Sequence, residues 1–323
     1  MRAVICDRYE GIEALRVGEF PDPHPPPGTA LVEVKAAGVN FADILLVAGQ
    51  YQTKPELPFV PGLEFGGVVV SADRLDGLSP GDRVCGFVGF GAMAEKTIAY
   101  PGSISRLPAD ISFEEGASVP VAYGTSYHAL VDRAGLRADE TLLVLGAAGG
   151  VGLAAVQIGK ALGSKVVAAV SSDEKADAAR GAGADEVVRY DQTPLRDGIA
   201  AATSGDGVDV VYDPIGGEAT ELALRSTKWN GRLLVVGFAS GQIPSIPLNL
   251  NLMKGNSVVG VFWGRFNLEE PAKSAANNQV IMEWVAEGKL RPQVQKSYRL
   301  DEAVEALRWV ADRNAIGRVV VTL

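Results

Sequence analysis

Gly146, Gly149 and Gly152 are spaced G-x-x-G-x-x-G inside the stretch "LVLGAAGGVGLAAVQIGKALG". Positions without a Cβ let a backbone approach a pyrophosphate closely. A helix that starts there, with Gly150 and Val151 in its first turn, offers free N–H groups to the phosphate charge. NAD-selective sites place an acid roughly 20 residues further on, at the end of the next strand, to hold the ribose hydroxyls. Here that strand ends in Val170, Ser171 and Ser172, with Lys175 close behind. Two hydroxyls and a lysine suit an added 2′-phosphate better than a carboxylate would, so the expected dinucleotide is NADPH. Asp173 lies near the acid's distance and could reach the ribose; its place just before "EKADAAR" reads instead as a helix cap.

These groups need a strand before them and a helix after them, and the sequence supplies both. "TLLVL" ends at Gly146, and the next segment puts Val151, Ala155, Ile158 and Leu162 on one apolar face with Gln157 and Lys160 toward water. The strand-and-helix rhythm then repeats through "KVVAAV", "EVVRY", "VDVVYD", "GRLLVVG" and "NSVVGVFW", β-branched runs expected of parallel strands buried on both faces. Ahead of it, residues 1 to about 120 read as short strands between Pro/Gly turns ("RAVICD", "TALVEVKAAGV", "EFGGVVVS", "GDRVCGF"). Helical patches interrupt them at "NFADILLVAG" and at "SFEEGAS", which carries Ser112 and Glu115 in capping-box register. The tail after residue 264 reads as helix, strand, helix and a closing strand "GRVVVTL" that returns to the first domain.

With 323 residues and 47% hydrophobic composition, the chain has material for two cores. A net charge of −9 with no basic run argues against nucleic acid or anionic lipid as partners and for a small molecule. No segment approaches the ~18 apolar residues of a membrane helix, and a cytoplasmic location is expected. With Cys6, Cys85, His24 and His128 as the whole Cys/His set, none to spare and no ligand spacing among them, a four-ligand zinc site is not expected. The cysteines read as free buried thiols, His128 as a packed helix residue and His24 as a loop residue.

Taken together, "AAGVNFADILLVAGQY", "LPFVPGLEFGG", "PVAYGTSYHAL", the glycine stretch, "VVYDPIGG" and "GRLLVVGFASG" resemble the zinc-independent quinone oxidoreductases of the medium-chain dehydrogenase/reductase superfamily. The resemblance implies an α/β fold: a GroES-like catalytic domain of residues 1–122 and 262–323, and a Rossmann NADPH-binding domain of residues 123–261. It also implies an active-site cleft between them and a homodimer formed through "SVVGVFW". Where the superfamily's alcohol dehydrogenases hold catalytic zinc, this chain has Asn40, Leu63 and Val121, none of them a ligand of that kind. The lobe that carries structural zinc has no counterpart near Cys85.

Carried over residue by residue, Asn40 and Tyr51 line the nicotinamide and substrate, and Thr125 touches the carboxamide or supports the ring. Lys175, Tyr190 and Arg313 meet the adenosine phosphate, while Gly237, Phe238, Val261, Phe262 and Trp263 back the nicotinamide. Plainer readings stand beside these: Asn40 as a helix cap, Tyr51 and Tyr190 as packed aromatics, Lys175 as a solvated side chain, and Phe262 and Trp263 as core or interface. The implied activity is hydride transfer from NADPH to a quinone, with an enoyl or 2-alkenal reductase as the rival enzyme. A dinucleotide-binding crystallin-like or sensor protein is the rival outside catalysis.

Overall fold

The computed structural model describes residues 1–73, 75 and 77–323. Unit 1 comprises Met1–Val121, Phe266–Ala286 and Pro292–Leu323, and unit 2 comprises Ala122–Arg265 and Glu287–Arg291.

Unit 1 begins with a two-stranded ribbon, β1 (Arg2–Ile5) and β2 (Arg16–Glu19), followed by the long β3 (Ala30–Val39). Along β3 the even positions Ala30, Val32, Val34 and Ala36 are buried while Glu33 is exposed, the period-two pattern of a strand with one face on a core. Helix α1 (Phe41–Val47) leads to β4 (Glu64–Ala72), β5 (Arg83–Phe87), β6 (Lys96–Ala99), β7 (Ile104–Arg106) and the short α2 (Phe113–Gly116). The α2 capping box forms: the Ser112 N–H donates to Glu115 Oε2 at 2.8 Å, and the Glu115 N–H to Ser112 Oγ at 3.1 Å.

Unit 2 takes in most of α3 (Pro120–Tyr127), which continues into a π-helical turn at His128–Arg133. Then come β8 (Thr141–Leu145), α4 (Gly150–Ala161), β9 (Lys165–Val170), α5 (Asp173–Gly181), β10 (Glu186–Arg189), α6 (Leu195–Ala202), β11 (Val208–Asp213), α7 (Glu218–Arg225), β12 (Thr227–Val235), α8 (Asn249–Lys254) and β13 (Ser257–Gly260). The strands are parallel in the order β10-β9-β8-β11-β12-β13. In order of appearance that is 3-2-1-4-5-6, the Rossmann arrangement, with its crevice where the order reverses between β8 and β11. Leu143, Leu145, Val167, Val211 and Leu233 from four of these strands bury together with Ile199 and Leu224 from the helices.

After α9 (Trp263–Glu269) the chain adds α10 (Pro271–Ala286), β14 (Val294–Arg299), α11 (Ala303–Ala311) and β15 (Arg318–Thr322) to unit 1. Its sheet runs β14-β15-β3-β4-β5-β7, with β6 also on β3, and β15 is antiparallel to β3 with Val319 opposite Val39.

Three sequence expectations change here. Residues 262–265 and 287–291 lie with the Rossmann sheet instead of the GroES-like unit, because the Trp263 indole packs over Gly124 and the Arg291 backbone is bonded to the Gln157 side chain. Gln157 is correspondingly buried and not on a water face: its Oε1 accepts from the Tyr123 hydroxyl at 3.1 Å and the Arg291 N–H at 2.8 Å. Tyr190 does not end a strand but follows β10, which stops at Arg189.

Candidate functional site

In unit 2 the expected cofactor residues other than Arg313 follow the carboxyl ends of neighbouring strands. As β8 ends, Gly146 enters the left-handed region at φ +58°, and a Cβ there would meet the Ile215 side chain at 2.6 Å. The turn closes when the Gly149 N–H donates to the Gly146 carbonyl at 3.0 Å, and Gly149 becomes the N-cap of α4. Gly150, Val151 and Gly152 then supply the first-turn amides that a helix leaves without an internal carbonyl. A Cβ on Gly152 would fall 2.3 Å from the Gly146 carbonyl oxygen, so only glycine lets helix and turn stand this close. The cradle suits a pyrophosphate, with amides and a helix N-terminus and no side chain in the way.

At the end of β9 the residues expected to meet the 2′-phosphate lie close together, and one helix-cap reading changes. Ser172, not Asp173, caps α5: its Oγ accepts from the Lys175 N–H at 3.2 Å. Asp173 is the first helical residue, and its carboxylate pairs with Arg189. Lys175 Nζ reaches Ser171 Oγ at 3.4 Å, and the Tyr190 N–H donates to the Val170 carbonyl at 3.2 Å, bringing Ser171, Ser172, Lys175 and Tyr190 to one corner.

Across the order reversal, Asp213 ends β11 as a buried carboxylate. Its Oδ1 accepts from the Ile215 and Gly216 N–H groups at 2.8 and 2.9 Å, and its Oδ2 from the Thr220 hydroxyl at 2.5 Å. The Asp213 carbonyl accepts from Val236 and Gly237, while Pro214 and Ile215 carbonyls accept from Ala239 and Ser240. Asp213 therefore ties the loop under the glycine turn to the Gly237–Phe238 segment. Sequence reasoning missed it; an Asp before Pro and two glycines at a strand end, in "VVYDPIGG", is the signal that points to it.

Thr125 is half-buried on α3 between two anchored neighbours. Gly124 is covered by Trp263; Ser126 Oγ donates to the Val151 carbonyl at 3.0 Å and lies 2.9 Å from the Tyr212 hydroxyl. Trp263 and Val151 thus pack on the residues either side of Thr125, and Ser126 and Tyr212 are residues that sequence reasoning missed. Burial pushes the Tyr212 phenol up and keeps its proton on. The Val261 N–H donates to the Val235 carbonyl beside them, while Phe262 is exposed. His128 is packed, its Nδ1 2.8 Å from Asp132 Oδ2, and His24 is an exposed loop residue.

Unit 1 holds Asn40, Tyr51 and Arg313. Arg313 follows α11 at φ +60°, and Tyr51 is half-buried in the loop after α1. Pairing of β15 with β3 carries Arg318 to Asn40, the N-cap residue of α1. The Asn40 carboxamide is spent inside the unit: Nδ2 donates to Glu64 Oε1 at 2.8 Å, and Oδ1 accepts from Arg318 Nη1 at 2.9 Å. Asn40 is buried, and its carboxamide holds this cluster together. Glu64 also pairs with Arg318 Nη2 and accepts from the Val121 N–H at 2.7 Å. Its carboxylate therefore links the Asn40 and Val121 places and is the chain neighbour of buried Leu63.

Asp43 accepts from the Asn40 and Gly62 N–H groups at 2.8 and 3.1 Å; burial nevertheless pushes its carboxyl up to about 7. Burial, with the Asp43 charge adding, raises the Tyr51 phenol. Cys6 and Cys85 are buried free thiols, Cys85 pushed up to about 12 by burial.

Residues 26–109 match the alcohol dehydrogenase GroES-like domain family, and residues 150–278 match the zinc-binding dehydrogenase family. The chain is 37% identical over 324 residues to mouse quinone oxidoreductase-like protein 2, covering 100% of this chain and 92% of that protein. It is 32% identical over 309 residues to human quinone oxidoreductase, covering 95% and 92%. Among solved structures, Escherichia coli quinone oxidoreductase complexed with NADPH is similar with a TM-score of 0.92 and 28% identity, covering all of both chains. Among the described residues, no helix is long and apolar enough to cross a membrane.

Proposed function

We propose, from the premise that the chain belongs to the quinone oxidoreductase family of the medium-chain dehydrogenase/reductase superfamily, that it passes hydride from NADPH to a quinone without zinc. The observation that carries the cofactor reading is the corner at the end of β9. There Ser171, Ser172, Lys175 and Tyr190 meet beside a glycine turn suited to pyrophosphate, as a 2′-phosphorylated dinucleotide requires. The relative solved with NADPH supports it.

When bound, NADPH supplies the hydride. The chain's own part is to bind and orient: the Gly146–Gly152 amides hold the pyrophosphate, Ser171, Lys175 and Tyr190 the 2′-phosphate, and Gly237, Phe238, Val261 and Trp263 the wall behind the ring. Thr125, half-buried on α3, would meet the carboxamide. As hydride arrives, the acceptor's carbonyl oxygen gains charge that a hydrogen bond can stabilise. Tyr51, whose phenol is raised and so remains protonated near neutral pH, is suited to donate it.

Zinc independence rests on the donor set. Leu63 and Val121 offer no metal-binding side chain, and the Asn40 carboxamide is engaged by Glu64 and Arg318. A homodimer through β13 is part of the same reading, supported by that strand's edge position with Val258 exposed and by exposed Leu252 and Met253 on α8.

The experiment is a comparison of kcat/KM with NADPH for a small quinone, a 2-alkenal and an enoyl thioester. The quinone should lead. A preference for either enone acceptor would replace the quinone reading with a double-bond reductase, and tight NADPH binding without turnover of any acceptor would leave the non-catalytic reading. Tyr51→Phe should lower kcat/KM by about ten- to a hundredfold, the loss of one transition-state hydrogen bond.

A further inference from the structure

The ends of β9 and β10 carry charged groups that bear on which dinucleotide is chosen. Arg189 stands opposite Val170 in the parallel pairing, so it abuts the Ser171–Asp173 stretch. Asp191 holds one side of its guanidinium, with Nε donating to Oδ1 at 2.8 Å and Nη2 to Oδ2 at 2.7 Å. The remaining Nη1 donates to Asp173 Oδ1. The Arg189 side chain is only 15% exposed, against 88% for Asp173. Asp191 therefore aims a well-enclosed arginine at the one carboxylate of this stretch that stands near the distance of a ribose-binding acid from the glycine turn.

An ion pair with so exposed a partner adds little to stability. Its effect on a ligand is larger. A 2′-phosphate carries close to two negative charges, and an uncompensated Asp173 would repel it while accepting from the ribose hydroxyls of NADH. Paired with Arg189, the carboxylate has its charge offset and an oxygen already occupied. The sequence sets an acid near the distance of an NAD site's carboxylate; the fold brings a cation from the next strand to cover it.

We propose that Arg189 sets the choice of NADPH over NADH by masking the Asp173 carboxylate. This rests on the cofactor reading above and assigns a residue that the serine, lysine and tyrosine set leaves without a role. Arg189 acts through Asp173, so the two side chains must be energetically coupled in what they do to the ligand.

The test measures dissociation constants of NADPH and NADH by nicotinamide fluorescence titration, without an acceptor, for wild type, Arg189→Gln, Asp173→Asn and the double variant. Wild type should bind NADPH more tightly. Arg189→Gln should weaken NADPH about tenfold or more while leaving NADH unchanged or tighter. In the Asp173→Asn background, the same substitution should change the NADPH-to-NADH ratio by less than about threefold. Equal weakening of both dinucleotides would make Arg189 merely structural, an undiminished effect without Asp173 would make it a direct phosphate ligand, and no effect would give it no part; each overturns the proposal alone. Wild type that binds neither dinucleotide, or prefers NADH, would overturn the cofactor reading and this proposal with it.

Discussion

Glu64, which opens β4 in unit 1, and Asp213, which closes β11 in unit 2, are both buried carboxylates, and they are satisfied by different means. Glu64 is met by the Arg318 guanidinium, the Asn40 amide and the Val121 N–H. Asp213 is met by two backbone N–H groups and the Thr220 hydroxyl, all neutral donors. Arginine does not give up its proton in a protein, and Arg318 is itself buried. The charge of Glu64 is therefore required by its partner, whereas Asp213 is required for the geometry of a turn. One region balances ions inside an apolar unit; the other uses a carboxylate as a template for the backbone beside the glycine turn.

The same neutralising change at both places separates these roles. Glu64→Gln should destabilise by about 3–5 kcal/mol in urea unfolding, because it leaves a buried guanidinium without a counter-charge. A cost below about 1 kcal/mol, as for an exposed pair, would break the contrast.

Asp43 sharpens it from the side of pH, since burial and the nearby Glu64 charge outweigh the Asn40 and Gly62 N–H groups and the Arg318 charge. Its carboxyl is raised from 3.8 in the unfolded chain to about 7 in the fold. The folded state thus binds the proton more tightly, and the contribution to stability is complete below about pH 4 and lost as pH rises through about 7. The stability of wild type relative to Asp43→Asn should fall by on the order of 2–4 kcal/mol over that window. A difference independent of pH would show that Asp43 stays ionised.

The smallest effect is expected at Asp213→Asn, about 1 kcal/mol. The carboxamide oxygen can still accept from Ile215 and Gly216, and its NH2 can donate to the Thr220 hydroxyl oxygen. Destabilisation as large as that of Glu64→Gln would mean that Asp213 is needed for its charge after all.

The parts of the molecule that repeat in the sequence were readable from it. The six β-branched runs after Thr141 became the parallel strands of the sheet, and the glycine spacing became the turn before α4, because both depend on neighbours within about 20 residues. What depends on distant pairing was not readable. Arg318 meets Asn40 across 278 positions because β15 lies on β3, and nothing local to Asn40 announces it. Gln157 occupied a polar position on an amphipathic helix, yet Tyr123 and Arg291 bury it. Ser172 and Asp173 are both good caps side by side; the choice between them is tied to Arg189, which comes from the following strand and takes the aspartate.

The proposed NADPH-dependent reduction proceeds without a catalytic metal. The most direct measurement is the zinc content of the purified protein, taken alongside its rate of NADPH oxidation by a quinone before and after chelation. Zinc well below one equivalent, with an unchanged rate, is the predicted result. Stoichiometric zinc whose removal abolishes the reaction would contradict the account.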